Sequence, residues 1–212
     1  MLDFTIILQS LDYLGTFAFG VSGAMVAVRK QMDVFGVVVL AMVTAIGGGT
    51  VRDLLLARTP NFWIEDPTYI YLAIIAGLIP FIAYHAVERG LTALIFFDAV
   101  GLGAFTVIGA WLGIEAEVAG VAVVVLATLT GIGGGIMRDV LAREVPIVLR
   151  EEIYASASIV GATVFLFAIR GGLPVDAAAP VTVVLVVVIR MLSHAYEWQL
   201  PHPKHTRPRM RE

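Results

Sequence analysis

The sequence predicts an all-α integral membrane protein of seven transmembrane helices, arranged as two inverted three-helix repeats plus a seventh helix. Three observations predict it. Of 212 residues, 59% are hydrophobic and 15% charged, and the mean hydropathy is +0.91, which leaves too little polar surface to coat a soluble globule. Apolar stretches of about twenty residues, the length that crosses a hydrocarbon core of about 30 Å, follow one another almost without pause. Residues 12–66 laid on residues 98–152, at a constant offset of 86 and without a gap, give 22 identities in 55 positions.

The first span, residues 6–28, lacks a basic leader and a small-residue cleavage site. Asp3 and Asp12 bracket its start, so it is expected to remain as a helix rather than act as a removable signal. The second, 34–56, carries a glycine triplet near its end. The third, 69–87, is entered past Trp63 and the tyrosines at 69 and 71, which suit the membrane interface. The fourth, 91–112, holds Asp98 inside an apolar run, and Gly109 and Gly113, four apart, suit a close helix contact within or between protomers, the first being the plainer use. The fifth, 118–141, carries the second triplet. The sixth is 153–169. The seventh, 175–196, falls outside the repeat, is expected at the periphery, and exits past Tyr196 and Trp198.

These spans divide the chain into a first repeat (1–90), a second repeat (91–172), a seventh helix (173–198) and a basic cytoplasmic tail (199–212). Orientation follows the placement of Lys and Arg rather than net charge. With the N-terminus outside, Arg29, Lys30, Arg89, Arg138, Arg143, Arg150, Arg190, Lys204, Arg207, Arg209 and Arg211 fall inside, against Arg52, Arg58 and Arg170 outside. Eleven against three predicts N-out, C-in. Three spans per copy, joined directly, also force the second copy upside down relative to the first, and such pairs form sites near the midplane at their interface.

The strings TAIGGGTVRDLLL and TGIGGGIMRDVLA place Gly47, Gly48 and Gly49, and Gly133, Gly134 and Gly135, late in the second and fifth spans. Each glycine gives up about 1 kcal/mol of helix propensity relative to Ala, so a break or kink is expected. Non-helical backbone is tolerated at membrane depth only against protein or a wet cavity, which turns the triplets inward. The competing reading is that the glycines only permit close helix packing. No Walker lysine follows them, so they do not cradle phosphate.

Arg52–Asp53 and Arg138–Asp139 follow the triplets, and Asp12 and Asp98 occupy matching places in the first helix of each repeat. Charge at this depth is expensive against lipid and points to a functional site, with a structural salt bridge as the plainer alternative. Each carboxylate is expected to pair with an arginine across the repeat interface, forming one Arg–Asp cluster at each end of a path. Thr44 and Thr130, matched polar residues one turn before the triplets, are expected to line the path with these clusters.

Several classes are excluded. There is no cysteine, so disulfides, thiolate metal sites and haem attachment fall away. His85, His194, His202 and His205 lack zinc-site spacing. Lys30 and Lys204, the only lysines, lie outside the spans, so no retinal Schiff base forms. Ser22, Ser156 and Ser158 have no histidine within the repeats' helices to activate them. Neither an enzyme nor a cofactor is expected.

The doubled GIGGG-x-x-RD signature, the aspartate in the first helix of each repeat and the three-plus-three-plus-one layout resemble the prokaryotic trimeric intracellular cation channel (TRIC) family, over residues 5–195. That domain family is also labelled glycine transporter. The resemblance implies a homotrimer in a prokaryotic cell membrane, each protomer with its own hourglass pore conducting monovalent cations, chiefly potassium. It implies kinks at the two triplets and places Arg52 and Arg138 in or beside the pore. Animal members carry Lys-Glu-Val where this chain has Arg52-Asp53-Leu54 and Arg138-Asp139-Val140, so their phosphoinositide site is not carried over. The expected partners are membrane lipids, potassium or sodium ions and further copies of the chain, and not nucleic acid. A carrier of glycine or a similar small zwitterion is the alternative, with a half-helix N-terminus facing the substrate carboxylate and Asp12 or Asp98 receiving its amine.

Overall fold

The structure, a computed structural model, describes residues 4–85, 90–150 and 153–198. Among them are eight α-helices: α1 (Phe4–Arg29), α2 (Val34–Leu55), the single turn α3 (Phe62–Glu65), α4 (Thr68–Ile82), α5 (Leu91–Glu115), α6 (Gly120–Leu141), α7 (Ala155–Arg170) and α8 (Val175–Ala195). A 3-10 turn, Ile147–Leu149, precedes α7. The helix α3 was not expected from sequence, because it lies in a connection and spans only four residues. Arg89 and the basic tail 199–212 lie outside the described residues.

Helices α1, α2, α5, α6 and α8 are long and apolar enough to cross a membrane, while α4 and α7 are apolar but shorter, at 15 and 16 residues. The chain is a membrane protein with an all-helical fold. Lipid takes the place of water on its outside, where Phe35, Ile82 and Val121 are each at least 75% exposed. Leaving such side chains in water would cost about 1.5–3 kcal/mol apiece.

The core is a ring in which α1 packs on α2 and α5, and α6 packs on α2 and α5. Helix α4 lies over α1 and α2, α7 lies over α5 and α6, and α8 packs on α5 and α7. Residues 86 apart make the same contacts with exchanged partners. Phe19 fills the space over Gly101 while Phe105 lies against Gly15, and the two rings stack at 5.4 Å. Gly23 meets Thr44 as Gly109 meets Thr130. Gly109 and Gly113 both face α6 of the same protomer, the first of the two contacts that their spacing allows. Helix α8 is more than a peripheral addition, since Thr182, Val186 and Arg190 on it are buried and Gly103 lies against the Val183 carbonyl.

Candidate functional site

Neither glycine triplet breaks its helix. Helices α2 and α6 run unbroken through Gly47, Gly48 and Gly49 and through Gly133, Gly134 and Gly135. Tertiary packing overrides the propensity cost, because the triplets are where the two helices touch. A Cβ on Gly48 would lie 2.1 Å from the Thr130 carbonyl oxygen, and one on Gly134 would lie 2.2 Å from that of Thr44. Gly133 packs on the Gly48 backbone, Gly47 on Met137, Gly49 on the Phe62 ring and Gly135 on the Tyr154 hydroxyl. The helices meet backbone to backbone, which only glycine allows, and no hydrated ion fits between them at that point.

Thr44 and Thr130 are fully buried, and their hydroxyls donate to the carbonyls of Leu40 (2.6 Å) and Leu126 (2.7 Å). Each hydroxyl thus bonds back one turn within its own helix. The sequence could not reveal this, because the same hydroxyl can bond back one turn or reach outward.

At the C-terminal ends of α2 and α6 the charged pairs form two matched clusters. Arg52 Nε donates to Asp53 Oδ1 at 2.8 Å, and Asp53 Oδ2 accepts from the Phe62 amide at 3.0 Å. Arg138 Nε donates to Asp139 Oδ1 at 2.8 Å, and Asp139 Oδ2 accepts from the Ile147 amide at 2.8 Å. In each repeat the aspartate therefore holds its neighbouring arginine with one oxygen and pins the following turn with the other. All four side chains are at most 6% exposed, so both pairs bury their charges together.

The third member of each cluster separates the two. Arg138 Nη1 reaches Asp98 Oδ1 at 2.5 Å and also donates to the Ser22 hydroxyl at 2.5 Å. Asp12 makes no ion pair with Arg52; its Oδ2 accepts from the Tyr69 hydroxyl at 3.0 Å. Asp12 Oδ1, Thr16 Oγ1 and Arg52 Nη1 are buried and have no hydrogen-bond partner within the protein, and the Arg52 guanidinium lies over the Phe62 ring at 5.1 Å. Two sequence expectations need correcting. Asp98 pairs with the arginine of its own repeat, not one across the interface, because α5 and α6 pack directly together. Asp12 pairs with a tyrosine instead.

Sequence reasoning missed several participants. Tyr69 is a buried donor to Asp12, not an interfacial anchor, while Tyr71, Tyr196 and Trp198 are exposed. Trp63 donates to Thr50 at 3.1 Å. Arg190, assigned only as a topology marker, is buried, donates to the Ile153 carbonyl at 2.9 Å and stacks on Tyr154 at 4.6 Å. Ser22 carried a readable signal, being a polar residue whose partner in the repeat is Ile108.

Outside the spans, two carboxylates are held below their usual range. Asp66 is lowered by hydrogen bonds from Thr68 and then from the Tyr13 hydroxyl, and Glu144 by its hydrogen bond and charge pairing with Lys30. Lys30 and Glu144 join the α1–α2 connection to the segment after α6.

Comparison with known proteins matches this geometry to a family. The family model described as glycine transporter fits the chain twice, over residues 9–85 and 95–170. The UPF0126 inner membrane protein YadS of Escherichia coli K12 is 40% identical over 193 residues, 90% of this chain and 93% of that one. The trimeric intracellular cation channel orthologue from Rhodobacter sphaeroides superimposes with a TM-score of 0.86 at 36% identity, covering 91% of this chain and 99% of that one. Another solved TRIC cation channel gives 0.84 at 37% identity, covering 92% and 97%. By sequence and by fold, the chain belongs to the TRIC family.

Proposed function

We propose that the protein is a cation channel of prokaryotic cell membranes, a homotrimer in which each protomer conducts potassium and other monovalent cations through its own interior. The observation that carries this reading is the likeness, over nine-tenths of the chain, to solved TRIC cation channels. The clusters agree with it in sign. Each holds one arginine and two aspartates, Arg52 with Asp12 and Asp53, Arg138 with Asp98 and Asp139, a net of −1 when all are ionised. Such a ring attracts a cation although an arginine stands in it.

In this reading, α1, α2 and α4 form the first repeat, α5, α6 and α7 the inverted second, and α8 the seventh span. The N-terminus is outside and the C-terminus is cytoplasmic. Arg52, Asp53 and Asp12 form the outer gate, and Arg138, Asp139 and Asp98 the inner one. The path opens by bending α2 and α6 at the glycine triplets, which withdraws Gly48 from Thr130 and Gly134 from Thr44. An arginine that moves through the membrane field would respond by about 2.3 kcal/mol per charge per 100 mV.

A second reading, an alternating-access carrier of glycine or a similar zwitterion, is favoured by one observation. Asp12 Oδ1 and Arg52 Nη1 are buried, opposite in charge and unbonded within the protein, which suits an amine and a carboxylate. Planar-bilayer recording of purified protein in a potassium gradient separates the two. Discrete currents reversing near the potassium potential, altered by Arg138→Gln, support the channel. Silence in the bilayer together with saturable glycine uptake in liposomes supports the carrier.

A further inference from the structure

On one side of the bundle α6 and α7 diverge and leave an open groove of about 710 Å³ that neither charged cluster uses. Its walls include Val121, Val125 and Leu129 from α6 and Ile159 and Phe167 from α7. The two hydroxyls in it are already committed, Thr128 to the Val124 carbonyl at 2.8 Å and Thr163 to the Ile159 carbonyl at 2.7 Å. Apart from Arg170 at one end, a polar solute would find no free donor along these walls, whereas a hydrocarbon chain needs none. From position 120 to 129 the helix rises about 14 Å, close to half of a hydrocarbon core about 30 Å thick. The groove therefore has the depth of one leaflet.

One end of it is charged. Arg170, the last residue of α7, holds its guanidinium beside Gly120, where a Cβ would lie 3.0 Å from Nη2. Among the described residues no carboxylate forms an ion pair with it. Helix α6 begins at the same place without a side-chain cap. The repeat shows what is missing. Ala119 stands 86 positions after Asp33, whose carboxylate accepts from the Gly36 amide at 2.8 Å and caps α2. The first repeat thus fills the opening of its second helix with its own anion, while the second repeat has a methyl group, a glycine and an overhanging arginine.

We infer that the α6–α7 groove binds an anionic phospholipid, with the phosphate between Arg170 and the free amides opening α6 and one acyl chain along Val121, Val125 and Leu129. This holds whether the protein is a channel or a carrier. Native mass spectrometry of the full chain in detergent, titrated with dioleoylphosphatidylglycerol or dioleoylphosphatidylcholine, tests it. The wild type is expected to retain the glycerol lipid in preference to the choline lipid. Arg170→Gln and Ala119→Asp should each lower retention of the glycerol lipid about fivefold, the weight of one basic residue near a membrane surface, and lower that of the choline lipid, whose phosphate is balanced by its own cation, by less. Ala119→Asp supplies a favourable helix cap, so loss of folding does not confuse its result. Val125→Trp, which fills the groove, should lower both. No preference in the wild type overturns the inference, as does unchanged retention in both charge variants. It also fails if Val125→Trp alters the oligomer masses while lipid adducts persist, which would make the groove a contact between copies.

Discussion

The Ser22 hydroxyl of α1 lies 2.5 Å from Arg138 Nη1 of α6, and the residue 86 positions after Ser22 is Ile108, packed in an apolar cluster with Val107 and Phe165. One hydroxyl is thus present in the second repeat's cluster and absent from the first's. Arg138 is closed onto Asp98, whereas Arg52 leaves Asp12 to Tyr69. The two clusters are alike in sequence and unequal in their pairing.

Ser22→Ala is expected to weaken the Arg138 cluster. It removes a hydrogen bond from a charged donor, worth about 1.5–3 kcal/mol, while Asp98 and Asp139 still hold the guanidinium. Thermal unfolding in detergent should show that loss, and bilayer recordings should show a higher open probability. Unchanged gating would separate Ser22 from the gate.

The same substitution at the matched aspartates should have unequal costs. Asp98→Asn removes one of two carboxylates from a buried guanidinium; Asp139 still neutralises Arg138, so the cost should be about 1.5–3 kcal/mol, the scale of a charged hydrogen bond. Asp12→Asn removes no ion pair; an amide oxygen can still accept from Tyr69, so the loss should stay near 1 kcal/mol, the scale of one ordinary hydrogen bond. Equal shifts in unfolding midpoint would show that Arg52 and Asp12 interact as strongly as Arg138 and Asp98.

The limits of sequence reading follow from these contacts. Apolar length and the offset of 86 located every long helix to within about three residues, because lipid permits few alternatives to a hydrogen-bonded helix. The repeat also identified Arg52, Asp53, Arg138, Asp139, Asp12 and Asp98 as residues of the two clusters. It did not say which carboxylate each arginine would take, since that depends on how α1, α2, α5 and α6 cross. The glycine triplets misled in one respect. Propensity predicts a break or kink; the helix runs unbroken past the close contact between Gly48 and the Thr130 carbonyl. Tyr69 looked like an interfacial aromatic because its sequence neighbourhood is that of a span entry, and only the packing of α4 on α1 turns it toward Asp12.

Gly48→Ala should separate α2 from α6. Its methyl would meet the Thr130 carbonyl at 2.1 Å, a backbone atom that cannot rotate away, and overpacking of this kind costs about 1–3 kcal/mol. Gly113→Ala is the control, since its nearest neighbours lie at 3.3 Å or more. Altered conductance or gating for Gly48→Ala but not for Gly113→Ala would tie conduction to the triplet crossing.

The Lys30–Glu144 pair predicts a pH dependence whose sign can be worked out. Lys30 holds the Glu144 carboxyl below its usual range, first by hydrogen bonding and then by charge. The folded state thus favours the ionised form, so the contribution is full at neutral pH and is lost as pH falls through the lowered value. Both side chains are about two-fifths exposed, so salt screens the pair and its effect is small. At low ionic strength the wild type should unfold slightly above Glu144→Gln at pH 7. The difference should vanish once the medium is more acidic than the carboxylate range, and should shrink in 1 M salt, where the screening length is about 3 Å. A difference that survives both treatments would assign the link between the α1–α2 connection and the segment after α6 to packing rather than to charge.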